Sequence, residues 1–409
     1  MTGQPEHVLV IGAGLGGVRT AEQLRAAGYQ GRISLVGAEP HIPYDRPPLS
    51  KQILTGEWAP ARAVLRTLDQ LEDLGVRAHL GQAAVALRPG EVELSDGSTL
   101  HGDAVVVATG LVARRLPGQP AQVHTLRTLS DALALRERLE GIGSLLIIGA
   151  GFIGAEVATA ARARGIEVTV LEGLAAPAAR ALGPAVGELV SRLYAEAGVR
   201  LHTGVSVAGL TADAARARAE LSDGRVFEAD AGLVGIGGTA QLSWLDAHLD
   251  PASELRCDSR GRVRGRPGIW AVGDVAVWER PGSSVPRREE HWTSAGDQAA
   301  VVARDILGAP APPPTVPYFW SDQFGLKIQL LGRPERADEV IALHGDGLAG
   351  GAVPGTVIGY LAGGKLVAVV GFGAARLIVR YRPLVAGAAG PEQLRALAAE
   401  LQPGRARQE

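Results

Sequence analysis

The chain has 409 residues, of which 46% are hydrophobic and 21% charged, a globular composition long enough for two or three domains. Its formal net charge of −2, from 41 basic and 43 acidic residues, gives no extended positive field and excludes a sequence-independent nucleic-acid binder. With one cysteine, Cys257, and nine histidines that never lie three to five residues apart, the sequence offers no disulfide, no dithiol relay and no local metal site.

The N-terminal sequence MTGQPEHVLVIGAG lacks the basic region, apolar stretch and small-residue cleavage site of a signal peptide, so we expect a cytoplasmic protein. The most membrane-like stretch, residues 143–161, contains Glu156, a charge that would be costly inside a bilayer. A strand, a glycine turn and a helix explain this stretch better, and we expect no membrane segment.

One pattern occurs twice. HVLVIGAGLGGVRTAEQLRAAG spans residues 7–28 and SLLIIGAGFIGAEVATAARARG spans residues 144–165. Each begins with an apolar run typical of a buried parallel strand, continues through a glycine-rich turn into a helical pattern, and ends at a glycine. A second apolar run follows each copy and leads to an acid, Glu39 or Glu172. The sequence therefore predicts two βαβ units.

Three further apolar runs predict strands, each followed by a glycine-containing turn. They are Ala104–Val107 before Ala108, Thr109 and Gly110; Gly232–Ile236 before Gly237; and Ile269–Val272 before Asp274. The polar stretches SDGSTLHGD and SDGRVFEAD predict hairpins, and the proline-rich residues 309–317 predict a linker. After it, the alternation of apolar and polar residues predicts a small antiparallel sheet.

The glycines of the two turns have the spacing GxGxxG. They are Gly12, Gly14 and Gly17 in the first copy, and Gly149, Gly151 and Gly154 in the second. Such glycines allow a tight turn, close approach of a pyrophosphate to the backbone, and close packing of helix on strand. Because each turn follows a strand and opens a helix, we expect two dinucleotide sites.

FAD and a nicotinamide nucleotide are the simplest pair of dinucleotides for such a chain. Glu39 and Glu172 are placed to bind ribose 2′-hydroxyls, and a carboxylate at Glu172 would repel a 2′-phosphate, which favours NADH over NADPH. Either glutamate could instead be a solvated acid at the end of a strand.

Several motifs together resemble the FAD-dependent NADH:ferredoxin reductases of oxygenase systems. The specific ones are PYDRPPLSK at residues 43–51 and YFWSDQ at residues 318–323, supported by GIWAVGD at residues 268–274 and EHW at residues 290–292. The resemblance implies an α/β fold with two Rossmann-like, glutathione-reductase-like domains and a C-terminal α+β domain. The implied segments are FAD-binding 1–113, NAD-binding 114–236, FAD-binding 237–314 and C-terminal 315–409.

The same resemblance implies a set of site residues. It places Lys51 near flavin N5 and paired with Glu156, and each would supply the partner that the other needs for burial. A surface Lys51 and a Glu156 bonded to backbone are the alternative. It further implies cofactor contacts from Arg46 at the FAD phosphates, Asp274 at the ribityl chain, Trp292 and Trp320 beside the isoalloxazine, and the turns at residues 108–110 and 237. Lys51, Glu156 and Trp320 form the implied catalytic set, although either tryptophan could be ordinary core and Asp274 a helix cap.

The implied reaction passes a hydride from NADH to FAD and single electrons to a two-iron two-sulfur ferredoxin. We expect a transient ferredoxin complex and a monomer or weak homodimer. Two alternatives remain: a reductase for another acceptor, such as rubredoxin, a quinone-like molecule or a small oxidised metabolite, and a flavoprotein that senses NADH and resembles apoptosis-inducing factor.

Overall fold

The computed structural model describes residues 4–245, 254–279 and 286–401, which form two compact units. The first unit consists of Met1–Arg46, Pro60–Val112 and Gly238–Thr315, and the second of Pro47–Ala59, Ala113–Gly237 and Val316–Glu409. This division groups the chain by packing, whereas the four predicted segments group it by cofactor. Those four boundaries therefore stay a prediction.

A five-stranded parallel sheet forms the centre of the first unit. In spatial order its strands are Ile269–Ala271, Ala104–Val107, His7–Ile11, Arg32–Gly37 and Val76–Leu80. The middle strand is buried along its whole length, as expected where helices cover both faces of a parallel sheet. Helices Leu15–Ala26 and Trp292–Ile306 pack against each other beside it. The first predicted βαβ unit is thus confirmed.

Smaller elements complete the first unit. They are the antiparallel sheet Ala84–Arg88, Glu91–Leu94 and Thr99–His101, the sheet Leu255–Cys257, Ala276–Trp278 and Arg287–Arg288, the helix Leu68–Asp73 and the two-residue strand Gly238–Thr239. The predicted hairpin at SDGSTLHGD joins the second and third strands of the first of these sheets.

The second unit contains a parallel sheet of four strands. In spatial order they are Arg200–His202, Glu167–Leu171, Ser144–Ile148 and Ala231–Val234. Around it lie the antiparallel strands Val207–Ala212, Ala217–Leu221 and Val226–Ala229, and the helices Gln52–Thr55, Leu129–Arg138, Phe152–Ala163, Ala179–Leu182 and Pro184–Glu196. Residues 143–161 form a strand, a turn and most of a helix, as predicted. In the described part of the chain no helix is long and apolar enough to cross a membrane.

The C-terminal part of the second unit is a five-stranded antiparallel sheet with two helices. In spatial order the strands are Tyr318–Gln323, Leu326–Gly332, Lys365–Phe372, Val357–Ala362 and Glu339–His344, and the helices are Ala375–Ala386 and Pro391–Glu400. Residues 309–317 contain no helix or strand, which confirms the predicted linker. The five strands that follow confirm the predicted antiparallel sheet. The α/β fold class with a C-terminal α+β part is confirmed as well.

Candidate functional site

The first glycine turn lies in the first unit, between strand His7–Ile11 and helix Leu15–Ala26. Gly12 has a φ of +119°, and a β-carbon there would overlap the carbonyl oxygen of Ala108. A β-carbon at Gly17 would overlap the carbonyl oxygen of Gly12. These two glycines are therefore required by the protein's own backbone packing.

Gly14 has a different reason to be glycine. Its φ of −81° suits any residue, and no heavy atom lies within 4 Å of where its β-carbon would be. The helix that follows has no side-chain cap and no acid in its first turn. Open space in front of uncapped helical N–H groups is what a pyrophosphate needs, so this turn fits a dinucleotide.

The second glycine turn repeats this division in the second unit. Gly149 has a φ of +105° and would overlap Gly235, and Gly154 would overlap Gly149, if either carried a β-carbon. At Gly151, the cap residue of helix Phe152–Ala163, the nearest atom to a β-carbon would be 4.0 Å away. This helix is also uncapped by side chains. The second turn fits a second dinucleotide by the same criterion.

Glu172 lies directly after strand Glu167–Leu171, beside the second turn. Its Oε2 accepts a hydrogen bond from the Ala150 N–H at 2.6 Å, and its Oε1 accepts one from the Leu174 N–H at 2.8 Å. A carboxylate has about four acceptor positions, so room remains for a ribose hydroxyl. Glu172 thus holds the turn in place, in addition to its predicted role toward NADH.

Glu39 has side-chain partners that the sequence did not predict. Tyr44 donates its hydroxyl proton to Oε2 at 2.5 Å, and Arg46 donates to Oε1 at 2.8 Å. Both Arg46 and Glu39 are about 30% exposed (31% and 29%). The predicted phosphate contact of Arg46 stays a prediction, and the structure adds that Arg46 orients the acid predicted to bind ribose. Tyr44 lies inside the PYDRPPLSK motif, and this is the feature of the sequence that could have identified it as a site residue.

The remaining predicted flavin residues of the first unit lie at turns and at a helix start. Gly273, before Asp274, donates its N–H to Oε1 of the buried Gln298 at 2.7 Å. Trp292 begins its helix and donates its indole N–H to Oδ1 of Asp45 at 2.8 Å. Asp274 lies in a short 3₁₀ turn, Ala108 is buried, Thr109 is exposed and Gly110 has a φ of +66°.

Lys51 and Glu156 form a buried ion pair in the second unit, as predicted. Lys51 Nζ lies 2.8 Å from Glu156 Oε2, with the two side chains only 13% and 3% exposed. Ser50 also donates to Oε2, and Ser321 donates to Oε1 at 2.5 Å. Gln323 in turn donates to the Ser321 hydroxyl oxygen at 3.0 Å. These five residues, which we call the Glu156 cluster, come from three separate stretches of chain.

The Glu156 cluster satisfies both charges that it buries. Removal of a carboxylate from water is compensated only when donors surround it, and here one ammonium and two hydroxyls do so. Lys51 donates a second hydrogen bond to the Pro47 carbonyl oxygen at 3.3 Å. Among the described residues this accounts for two of its three N–H groups, which leaves one for a bound group.

Trp320 lies on the strand Tyr318–Gln323 and is half-buried. Its ring stacks on that of Tyr318, with centroids 5.8 Å apart and planes 21° apart. Because side chains alternate along a strand, Trp320 points away from the face that carries Ser321. Phe319 lies on the same face as Ser321, and its ring is 4.3 Å from the ring of Phe152 in the second glycine turn.

Gly237, the last predicted cofactor residue, is exposed and has a φ of +93°.

Cys257 is fully buried in the core of the first unit. Burial raises the pKa of its thiol to about 12, so it carries no thiolate at neutral pH. Because Cys257 is also the only cysteine in the sequence, the chain has no reactive thiol for oxidation and reduction.

In the described ranges no group of three or more histidine, cysteine, aspartate or glutamate side chains could hold a metal.

The structure divides the predicted site residues between the two units. Gly12, Gly14, Gly17, Glu39, Arg46, residues 108–110, Asp274 and Trp292 belong to the first, and Lys51, Gly149, Gly151, Gly154, Glu156, Glu172, Gly237 and Trp320 to the second. Within each unit hydrogen bonds add residues that were not predicted: Tyr44, Ser50, Ser321 and Gln323. All four lie in or beside the two specific motifs, but neither motif shows which atom each side chain meets.

This chain has two parallel sheets, and each carries a glycine turn that fits a dinucleotide. This arrangement is typical of flavin- and nicotinamide-dependent oxidoreductases. Residues 6–299 match the family described as pyridine nucleotide-disulphide oxidoreductase, and residues 318–402 match the family described as reductase C-terminal. The chain belongs to the pyridine nucleotide-disulphide oxidoreductase family.

Its relatives narrow this class. The chain is 39% identical over 342 residues, 82% of each chain, to the ferredoxin--NAD(+) reductase subunit of the benzene 1,2-dioxygenase system of Pseudomonas putida. It is 38% identical over 400 residues, 95% and 94% of the two chains, to the ferredoxin reductase component of chlorobenzene dioxygenase from Cupriavidus sp. strain PS12. Putidaredoxin reductase, in its covalent complex with putidaredoxin, matches with a TM-score of 0.87 at 30% identity over 95% of each chain. The predicted resemblance to oxygenase ferredoxin reductases is confirmed.

Proposed function

We propose that this protein is an FAD-dependent reductase that oxidises NADH and passes single electrons to a two-iron two-sulfur ferredoxin serving an oxygenase. The observation that carries the proposal is the pair of glycine turns whose second glycines, Gly14 and Gly151, face open space. FAD, when bound, would supply the chemistry that converts the two-electron donation of NADH into single-electron transfers. The chain's own residues bind, orient and neutralise charge.

Each turn is assigned one dinucleotide. The first turn, with Glu39 and Arg46 beside it, belongs to FAD, and the second, with Glu172, belongs to NADH. Lys51 is the cation of the flavin site, held by Glu156 in a position where one N–H remains available. Asp274, Trp292 and Trp320 are assigned to the flavin by the motifs in which they lie. Neither a general base nor a thiol is needed, in agreement with the buried and protonated Cys257.

A ferredoxin is the proposed acceptor because the relatives are named as ferredoxin reductases of dioxygenase systems, and one matching structure is a complex with putidaredoxin. We propose a transient complex, since one reductase must reload a soluble electron carrier many times. A monomer or weak homodimer in the cytoplasm is part of the same proposal.

The proposal is tested by anaerobic reduction of the purified flavoprotein. One equivalent of NADH is expected to bleach the flavin absorbance rapidly, and added oxidised ferredoxin from an aromatic-ring dioxygenase system is expected to restore it. Flavin that NADH leaves oxidised would overturn the assignment of the second turn. Rapid reduction without reoxidation by any such ferredoxin would instead point to another acceptor, and slow reduction to an NADH sensor.

Replacement of Glu172 by serine is expected to weaken the preference for NADH over NADPH by about tenfold, mainly through KM for NADH. The carboxylate that would bind the ribose diol and repel a 2′-phosphate is then gone, and about one good hydrogen bond is lost. Steady-state kinetics with both nucleotides measure the ratio. Glu167→Ser is the matched control, because Glu167 starts the strand that Glu172 follows and pairs with the exposed Arg200 at 3.1 Å. An unchanged ratio in Glu172→Ser would refute the role.

A further inference from the structure

The Glu156 carboxylate receives its donors unevenly. Lys51 and Ser50 both donate to Oε2, whereas Ser321 donates to Oε1. Rotation of the carboxylate about its Cγ–Cδ bond would break all three of these contacts, so each of them opposes it. Of the three, the contact from Ser321 is the one that holds the second oxygen.

The hydrogen-bond direction at Ser321 follows from its neighbours. Its hydroxyl lies between the carboxylate, which only accepts, and the side-chain amide of Gln323. If the amide oxygen of Gln323 faced the hydroxyl, two acceptors would share one proton and one contact would be repulsive. The arrangement that satisfies both contacts runs from Gln323 N–H to Ser321 oxygen and from Ser321 O–H to Glu156.

Burial makes this arrangement costly to lose. Ser321 is 0% exposed and Gln323 1%, and Oε1 of Gln323 has no hydrogen-bond partner in the part of the chain that the structure describes. A buried amide oxygen without a hydrogen-bond partner lowers the stability of the folded protein. The hydrogen bond from the Gln323 N–H to Ser321 compensates for part of this loss. The Gln323 side chain is therefore placed to orient the serine hydroxyl.

We propose that Ser321, oriented by Gln323, is a positioning residue that locks the rotation of the Glu156 carboxylate and so holds the Lys51 ammonium in one place. The significance of this lock for electron transfer rests on the proposed role of Lys51 at the flavin. The lock itself is a property of the chain alone. It couples the strand Tyr318–Gln323 to the loop that carries Lys51, because both donate to one carboxylate.

The chain is well suited to a direct test because Lys51, Lys327 and Lys365 are its only lysines. Protein labelled with ¹⁵N-lysine and loaded with FAD therefore gives at most three side-chain ammonium signals. The signal that is lost in Lys51→Met is that of Lys51. In Ser321→Ala, exchange of the Lys51 ammonium protons with water is expected to rise about fivefold, as one hydrogen bond is lost. The signals of Lys327 and Lys365, both exposed, serve as internal references.

Further variants separate positioning from packing. Ser321→Thr keeps the hydroxyl and is expected to restore slow exchange, and Gln323→Leu is expected to raise exchange in the same direction as Ser321→Ala. Thr356→Val is the matched control, because Thr356 is also fully buried in the C-terminal part but donates to the carbonyl of Ala352. Unchanged Lys51 exchange in both Ser321→Ala and Gln323→Leu, or an equal rise in Thr356→Val, would overturn the proposal. None of these spectra requires NADH or ferredoxin, so failure of the proposed function would be seen separately in the reduction assay.

Discussion

Replacement of Lys51 by methionine is expected to lower the free energy of unfolding by about 3 kcal/mol. Methionine matches the length of the lysine stem, so the main loss is the ammonium that compensates Glu156, whose side chain is 3% exposed. The hydroxyls of Ser50 and Ser321 would remain as donors but carry no charge. Denaturant unfolding of the FAD-loaded protein, followed by circular dichroism, measures the change.

Lys327→Met is the matched control for this measurement. Lys327 pairs with Asp322 at 2.9 Å, but the two side chains are 46% and 39% exposed. Water solvates such charges well, so the loss is expected to be about 0–1 kcal/mol. Equal losses in the two variants would contradict the claim that burial makes the Lys51–Glu156 pair important.

The same Lys51 variant separates binding from reactivity. FAD is expected to remain bound, because the glycine turn, Glu39 and Arg46 are untouched, while flavin reduction by NADH slows by roughly 100- to 1000-fold. This is the range expected when one preorganised donor is removed from a reacting centre. Stopped-flow absorbance measures the rate, and an unchanged rate would leave Lys51 with a structural role alone.

Gly154→Ala is expected to destabilise the protein by about 3 kcal/mol, whereas Gly151→Ala is expected to change stability by less than about 1 kcal/mol. At Gly154 the new methyl group would overlap the backbone oxygen of Gly149, and backbone cannot rotate away as a side chain could. At Gly151 the methyl group would enter open space. Thermal and denaturant unfolding of both variants measure the contrast.

For ligand binding, the larger effect is expected from Gly151→Ala, the variant with the smaller effect on stability. Gly151→Ala is expected to raise KM for NADH by about tenfold or more, since the methyl group would occupy the space needed by the pyrophosphate. Gly14→Ala is the counterpart in the first turn and is expected to weaken FAD retention, with NADH affinity unaffected. Loss of stability in Gly151→Ala equal to that in Gly154→Ala would show that the second glycine serves packing too.

Local patterns along the chain determine much of this fold. Parallel strands buried on both faces are recognisable as continuous apolar runs, and the runs at residues 104–107 and 168–171 end where the strands end. At residues 269–272 the strand ends one residue before the run does, at Ala271, and at residues 232–236 it ends two residues before, at Val234. There Gly235 packs against the second glycine turn, a contact between distant residues that no local pattern records.

The two glycine turns and the acids that follow them could be predicted from local spacing, and the resemblance carried by the motifs implied the pairing of Lys51 with Glu156. Which glycines serve packing and which face open space depends on the folded chain, since the atoms that crowd Gly12 and Gly149 come from Ala108 and Gly235. The fold also determines which donors surround the buried carboxylate. It alone joined Ser50, Ser321 and Gln323 to Glu156, across 106 and 165 residues of chain for the two serines. A buried carboxylate takes its donors from whichever segments the fold brings near it, and that depends on how strands and helices pack rather than on any pattern along the chain.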